Sequence, residues 1–202
     1  MKKISLSIYI LVLTVIYSCS TPRLTDINRI IVENKSMWIE SWINDPLLNL
    51  STDGWKLYKN EYSYVFTKIP AYELFYFYSP SKEKFVDIYS RKIDIEITKN
   101  DTSIIFIGEP DSEIILSDIK RKTSDRLLFV GSETYFDDLL WIDDSCFIVL
   151  GYFTDFNSLE ICPEIMIFDI KRQQRICYKG TANKIKFNYI SKKFGNFNFI
   201  FD

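Results

Sequence analysis

The sequence contains no histidine. That absence removes Ser-His-Asp and Cys-His nucleophile systems, together with zinc sites that need an imidazole. Alanine stands only at Ala71 and Ala182, while Ile, Tyr, Phe and Thr are abundant. A chain short of the best helix former and rich in β-branched and aromatic residues favours strands. Basic runs are short, the densest being Lys120 to Lys122, and 25 Lys and Arg stand against 27 Asp and Glu. Nucleic acid, which needs a concentrated basic face, is disfavoured as a partner. The longest apolar stretch, Ile4 to Tyr17, reaches roughly 20 Å as a helix, against a hydrocarbon core of about 30 Å.

That stretch follows Met1, Lys2 and Lys3 and stops at Ile16-Tyr17-Ser18-Cys19, then Thr21 and Pro22. Basic residues, an apolar core and small residues before a break are the parts of a secretory signal. No A-x-A site ends it, because no alanine precedes Ala71. The Ile16–Cys19 pattern instead resembles the lipobox of bacterial lipoproteins, with Tyr17 in place of the usual small residue. The resemblance covers about the first twenty residues. It implies cleavage before Cys19 and acylation of its thiol and new amino group. One acyl chain holds a protein reversibly, whereas two or more anchor it stably. The expected organisation is a signal peptide over 1–18, a tether over 19–33 and one all-β domain over 34–202. The expected location is the cell envelope, on the periplasmic face or at the outer-membrane surface.

Three cysteines follow Cys19: Cys146, Cys162 and Cys177. An odd number allows at most one bridge, and the spacing is not C-x-x-C. Cys146 and Cys177 sit in apolar runs that read as buried strands. Cys162 precedes Pro163 in a polar stretch that reads as a loop, and is expected to be the most exposed.

One helix is expected, over Asn34–Asp45, where Trp38 and Trp42, and Ile39 and Ile43, share a face. From Trp55 onward about eleven short strand patterns alternate with turn residues, which indicates an all-β domain. "KIDIEIT" alternates as a half-exposed strand does; "FIVLG" is apolar throughout, as a strand buried on both faces is.

Ser103–Gly131 and Cys146–Gly180 look alike. Each runs through four apolar residues, a glycine, a loop ending in proline, "EI-x-[IL]-x-DIK-R" and a closing glycine. Gly108 maps onto Gly151, Glu113 onto Glu164, Asp118 onto Asp169 and Gly131 onto Gly180. Glycines ending strands suggest positive φ or a bulge. A period of ~40–50 residues of short antiparallel strands is similar to that of β-propeller blades, but a closed propeller needs at least four. The expected fold is therefore antiparallel, propeller-like four-stranded units in an open or two-sheet stack. A β-sandwich is the alternative.

For chemistry, Glu133, Asp137, Asp138, Asp143 and Asp144 form an acidic group that reads as turn formers and caps rather than a calcium site. The rings of Tyr72 to Tyr78 read as core. The stretch Gly151–Pro163 is longer than its counterpart in the first repeat and carries Tyr152, Phe153 and Phe156, which makes it the candidate contact loop. The sequence thus points to a membrane-anchored envelope lipoprotein that binds rather than catalyses, with Cys19 as acyl acceptor. No cofactor or metal is expected. The membrane is a partner through the lipid, and an envelope protein or glycan through the β domain. The alternative is an envelope hydrolase using paired carboxylates on glycan or cell wall.

Overall fold

Ile27 and Ile31, one helical turn apart, are both buried in helix α1, Leu24–Asn34. Asp26 in the first turn complements the helix dipole, and the Asn34 side chain donates to the Ile30 carbonyl at 2.8 Å. The second half of the expected tether is thus helical, because its isoleucines recur at helical spacing. Helix α2 is only Ser36–Glu40, shorter than the expected 34–45. The Ser41 hydroxyl donates to the Trp38 carbonyl at 2.7 Å where the helix ends. Trp38 and Trp42 still meet edge-on, 5.8 Å apart, and both are buried. The structure, a computed structural model, describes residues 24–42, 45–47, 49–58, 62–66, 68–97, 102–106, 111–155, 158, 160–182, 189–194 and 198–201. The chain divides into two units, 1–36 and 37–202; every strand belongs to the second.

The strands run β1 Ser51–Thr52, β2 Lys56–Leu57, β3 Tyr62–Val65, β4 Phe77–Tyr78, β5 Lys84–Asp87, β6 Ile93–Ile97 and β7 Thr102–Phe106. They continue with β8 Ser112–Asp118, β9 Thr123–Val130, β10 Thr134–Asp143, β11 Cys146–Asp155, β12 Glu160–Asp169, β13 Gln174–Lys179 and β14 Asn198–Phe201. The chain is mostly β, as its composition implies. Two sheets dominate. One has the order β4-β5-β8-β9-β3; the other is β10-β11-β12-β13-β1, with β2 also on β13. A small third sheet, β6-β7-β14, contains one parallel pairing, β14 on β7. The aromatic stretch Tyr72 to Tyr78 is split: Pro70–Phe75 form a 3-10 turn with Pro70 at its first position, and only Phe77–Tyr78 are strand, as β4.

The sequence repeat is real but differently phased. Asp118 accepts the Arg121 N–H at 2.8 Å and Asp169 the Arg172 N–H at 2.9 Å, so each "DIK-R" is a side-chain-capped hairpin turn. Each turn places a non-glycine residue in the left-handed region, Lys122 (φ 57°) and Gln173 (φ 53°). The residue after each aspartate donates to the residue just before the neighbouring strand of the sheet: Ile119 to Glu83, before β5, at 2.9 Å, and Ile170 to Ser145, before β11, at 2.8 Å. Phe66, after β3, donates to Lys122, as Tyr58, after β2, donates to Gln173. The counterpart of β11 is therefore β5. Strand β7, expected there, pairs with β6 and β14 instead. The β6-β7 hairpin is an insertion between β5 and β8; "SIIFI" has four apolar residues to the three of "KFVDI" and is the stronger strand pattern, so the sequence alone points to the wrong partner.

Both large sheets feed one apolar cluster. Val86, Ile114 and Leu127 come from the first, and Leu139, Phe147, Val149 and Phe168 from the second. The opposite face of β11 and β12 is buried as well, with Ile148, Leu150, Ile165 and Ile167 fully enclosed, as the unbroken run "FIVLG" implies. Phe75, Tyr76 and Phe77 are buried, so most of that aromatic stretch is core.

None of the described repeat glycines has positive φ, one of the two expected reasons; the other, a bulge, applies at Gly151. Gly151 is interior to β11 with no positive φ, and a Cβ there would sit 2.0 Å from the Tyr135 carbonyl oxygen. It faces Phe136 beside a bulge in β10, where Asp137 has no cross-strand partner in the β10–β11 register. Only Gly54 has positive φ among the described glycines (+84°). Gly108 lies outside the described residues.

Candidate ligand cavity

The β10 bulge turns Asp137 out of the ladder, and its carboxylate accepts the Trp38 indole N–H at 2.9 Å. The Tyr89 hydroxyl donates to the Asp137 carbonyl at 2.5 Å and the Tyr189 hydroxyl to the buried Asp138 carboxylate. Asp143 accepts the Ser145 N–H at 2.6 Å and closes the β10-β11 turn, while Asp144 accepts the Ser81 N–H at 2.8 Å. Four of the five acidic residues are thus spent on turns and on bonds to distant parts of the chain; Glu133 is exposed. Among the described residues no three His, Cys, Asp or Glu side chains converge as a metal site.

The aromatic stretch expected as a contact loop is mostly strand. β11 continues to Asp155 and β12 begins at Glu160, with Phe153 opposite Cys162. Cys162 therefore sits in a ladder rather than a loop; it is half-buried and the least enclosed of the three, with Cys177 more deeply set and Cys146 buried. Tyr152 and Phe153, adjacent in β11, point to opposite faces. Tyr152 stacks on Tyr135, its cross-strand neighbour, with centroids 4.8 Å apart. Phe156 and the proposed acyl acceptor Cys19 lie outside the described residues.

On the Tyr135 side, the Lys92 ammonium sits 3.9 Å from the ring centroid and its nitrogen is buried without a hydrogen-bond acceptor. Burial brings its pKa down to about 8, with Asp111 and Asp137 opposing the shift. The unfolded chain therefore binds more protons than the native one between about pH 8 and the ordinary lysine range, so stability rises with pH there. Denaturant midpoints measured from pH 7 to 10 should climb in the natural chain and stay flatter in Lys92→Met. Identical profiles would remove this assignment.

On the Phe153 side lies a cavity of about 370 Å³. Strand register builds it, since alternate residues of neighbouring strands share a face. Glu164 lies opposite Lys179 and Met166 opposite Cys177. β9 supplies Leu128 and Val130 from the other large sheet, and Asp53 and Lys56 lie at the edge. Glu164 is only 5% exposed. One of its carboxylate oxygens, Oε1, accepts the Cys177 thiol at 3.0 Å and meets the Lys179 ammonium at 3.6 Å. Its other oxygen, Oε2, is buried with no donor. Lys179 also lies 4.3 Å from the Phe153 ring centroid. Burial, followed by the Glu164 charge, holds the Cys177 thiol far above its ordinary range, so it is a hydrogen-bond donor and not a nucleophile. Lys56 pairs with Asp53 at 2.9 Å and holds that carboxyl below its usual range. Arg175, on the same face of β13 as Cys177, makes no ion pair among the described residues.

Sequence reasoning placed Phe153 but missed Glu164, Arg175 and Lys179 as a group. The available signal was the alternation Arg175, Cys177, Lys179 in "RICYK", which puts three polar side chains on one face of a strand. No protein-family model, curated protein or solved structure matches the chain.

Proposed function

We propose that the chain is a lipid-anchored binding module of the bacterial cell envelope, tethered through acylated Cys19 and holding a small ligand between its two large sheets. The observation that carries the binding reading is the group around Glu164. A buried carboxylate, a thiol donor and an ammonium converge on a cavity floored by Leu128 and Met166, and a few fixed polar groups in an apolar concavity are what small-molecule sites present. Burial and the Glu164 charge keep the Cys177 thiol protonated, which favours binding over nucleophilic catalysis. Support for the anchor is the Ile16–Cys19 pattern alone. Among the described residues no helix is long and apolar enough to cross a membrane. The shared strand path of the two large sheets supports reading them as propeller-like units in an open stack.

The anchor is tested by fractionating cells that express the natural chain beside Cys19→Ala. The natural chain is expected in the membrane fraction, with an N-terminal peptide that starts at Cys19 and carries two or three acyl chains. The variant should leave that fraction and lose the acyl mass. An uncut or unacylated N-terminus in the natural chain sinks the anchor. A hydrolase reading draws on Glu133 and Glu164, which line the same cavity. Cleavage of glycan or cell-wall substrates that disappears in both Glu133→Gln and Glu164→Gln, with folding intact, would replace binding by catalysis.

A further inference from the structure

We propose that the cavity takes a small organic acid with a hydrogen-bond donor at the far end of an apolar body, its acid group on Arg175 and its donor on Glu164 Oε2. The inference rests on the reading of this cavity as a binding site and names the class of molecule it selects.

The charges around the cavity are nearly all spoken for. Asp53 neutralises Lys56, and Glu164 neutralises Lys179. Arg175 is the cation left over, and its planar fork of donors fits a carboxylate in two-point contact. Next to it on the strand, Cys177 stays neutral and gives its proton to Glu164, so no anion in β13 competes for the guanidinium. Glu133 also lines the cavity, but it is exposed at the β9-β10 turn, and β10 is three strands from β13.

The second contact point comes from what Glu164 lacks. Oε1 has the thiol donor and the ammonium beside it, whereas Oε2 is enclosed with no donor. An acceptor left so is costly, and a ligand donor reaching it gains what the empty site forfeits. Arg175 is in register with Phe168 and Lys179 with Glu164. The two contact points are therefore four residues apart along the strands, about 13 Å between backbone positions. An arginine side chain together with a six-carbon ligand spans that interval. Between them the floor is Met166 and Leu128, which suits an apolar middle.

The test is calorimetric titration of the full chain with four matched probes: hexanoate, 6-hydroxyhexanoate, 6-aminohexanoate and 1,6-hexanediol. At least one of the bifunctional acids is expected to bind about tenfold tighter than hexanoate, the gain of one good hydrogen bond to a charged group. Whether hydroxyl or ammonium wins identifies the donor. The diol, lacking the acid, should bind at least tenfold more weakly than the hydroxy acid, and Arg175→Gln should erase that difference. Equal affinity for hexanoate and both bifunctional acids overturns the Glu164 contact. Equal affinity for diol and hydroxy acid overturns the Arg175 contact. If none of the four binds, the ligand class is wrong. A wider screen of neutral and cationic compounds, repeated on a cavity-filling Met166→Trp variant, then separates the two levels. Hits lost in the variant keep the cavity as a binding site, and a screen with no hits removes that reading too.

Discussion

Gly151→Ala is expected to destabilise the chain by about 3 kcal/mol or more, at the upper end for overpacking. The added methyl would lie 2.0 Å from the Tyr135 carbonyl oxygen, and both that carbonyl carbon and the Phe136 Cα would be within 3.2 Å. All three are backbone atoms, so no side chain can swing aside. Relief requires separating β10 from β11 at the bulge, where the two strands are paired on either side. Gly131→Ala is the control, since nothing lies within 4 Å of a Cβ there; it should change stability by less than ~0.5 kcal/mol. Equilibrium denaturation of both variants decides the matter. Equal midpoints would mean that β10 and β11 are not apposed as described.

Phe147→Ala should cost about 3–5 kcal/mol, the range for removing a fully buried ring. Phe147 has no exposed surface, stacks on Phe168 at 4.9 Å and leans on Trp141 at 5.1 Å. Phe168 in turn holds the Tyr58 ring edge-on at 5.6 Å. The ring is thus the centre of a row joining β10, β11 and β12 to the residue that follows β2. Loss of Phe147 should therefore couple to loss of Tyr58, and a double-mutant cycle should show non-additivity above ~0.5 kcal/mol. Leu57→Ala, at a position 77% exposed, should be nearly neutral. Strict additivity of Phe147 and Tyr58 would break the row.

Much of this architecture was legible because it rests on local pattern. The "DIK-R" repeat was visible as sequence and proves to be a pair of identically capped turns. The apolar run of β11 announced burial on both faces, and the spacing of Trp38 and Trp42 announced their contact. What escaped depends on partners distant in sequence. Nothing in "SIIFI" says that its neighbours are β6 and, in parallel, the C-terminal β14. The function of Gly151 is a matter of what faces it, so the residue type announced a special place while the reason stayed hidden. The same holds for the cavity. Glu164 and Lys179 become neighbours only through the β12-β13 register, and Leu128 joins them only when two sheets share a core.

The partnership of β1 with β13 has a consequence for the order of events during synthesis. Ser51 and Lys179, paired at the sheet edge, are 128 positions apart in the chain. At about 5–20 residues per second, β1 leaves the ribosome roughly 6–26 s before its partner exists. Meanwhile the β8-β9 hairpin and the β10 to β13 meander, made of near neighbours, can form as they emerge. The first strands to be made are thus among the last to find their places. A chain interrupted before residue 174 would expose β1 and β2 with nothing to pair against, a vulnerable window for capture by a chaperone or protease that the finished molecule no longer offers.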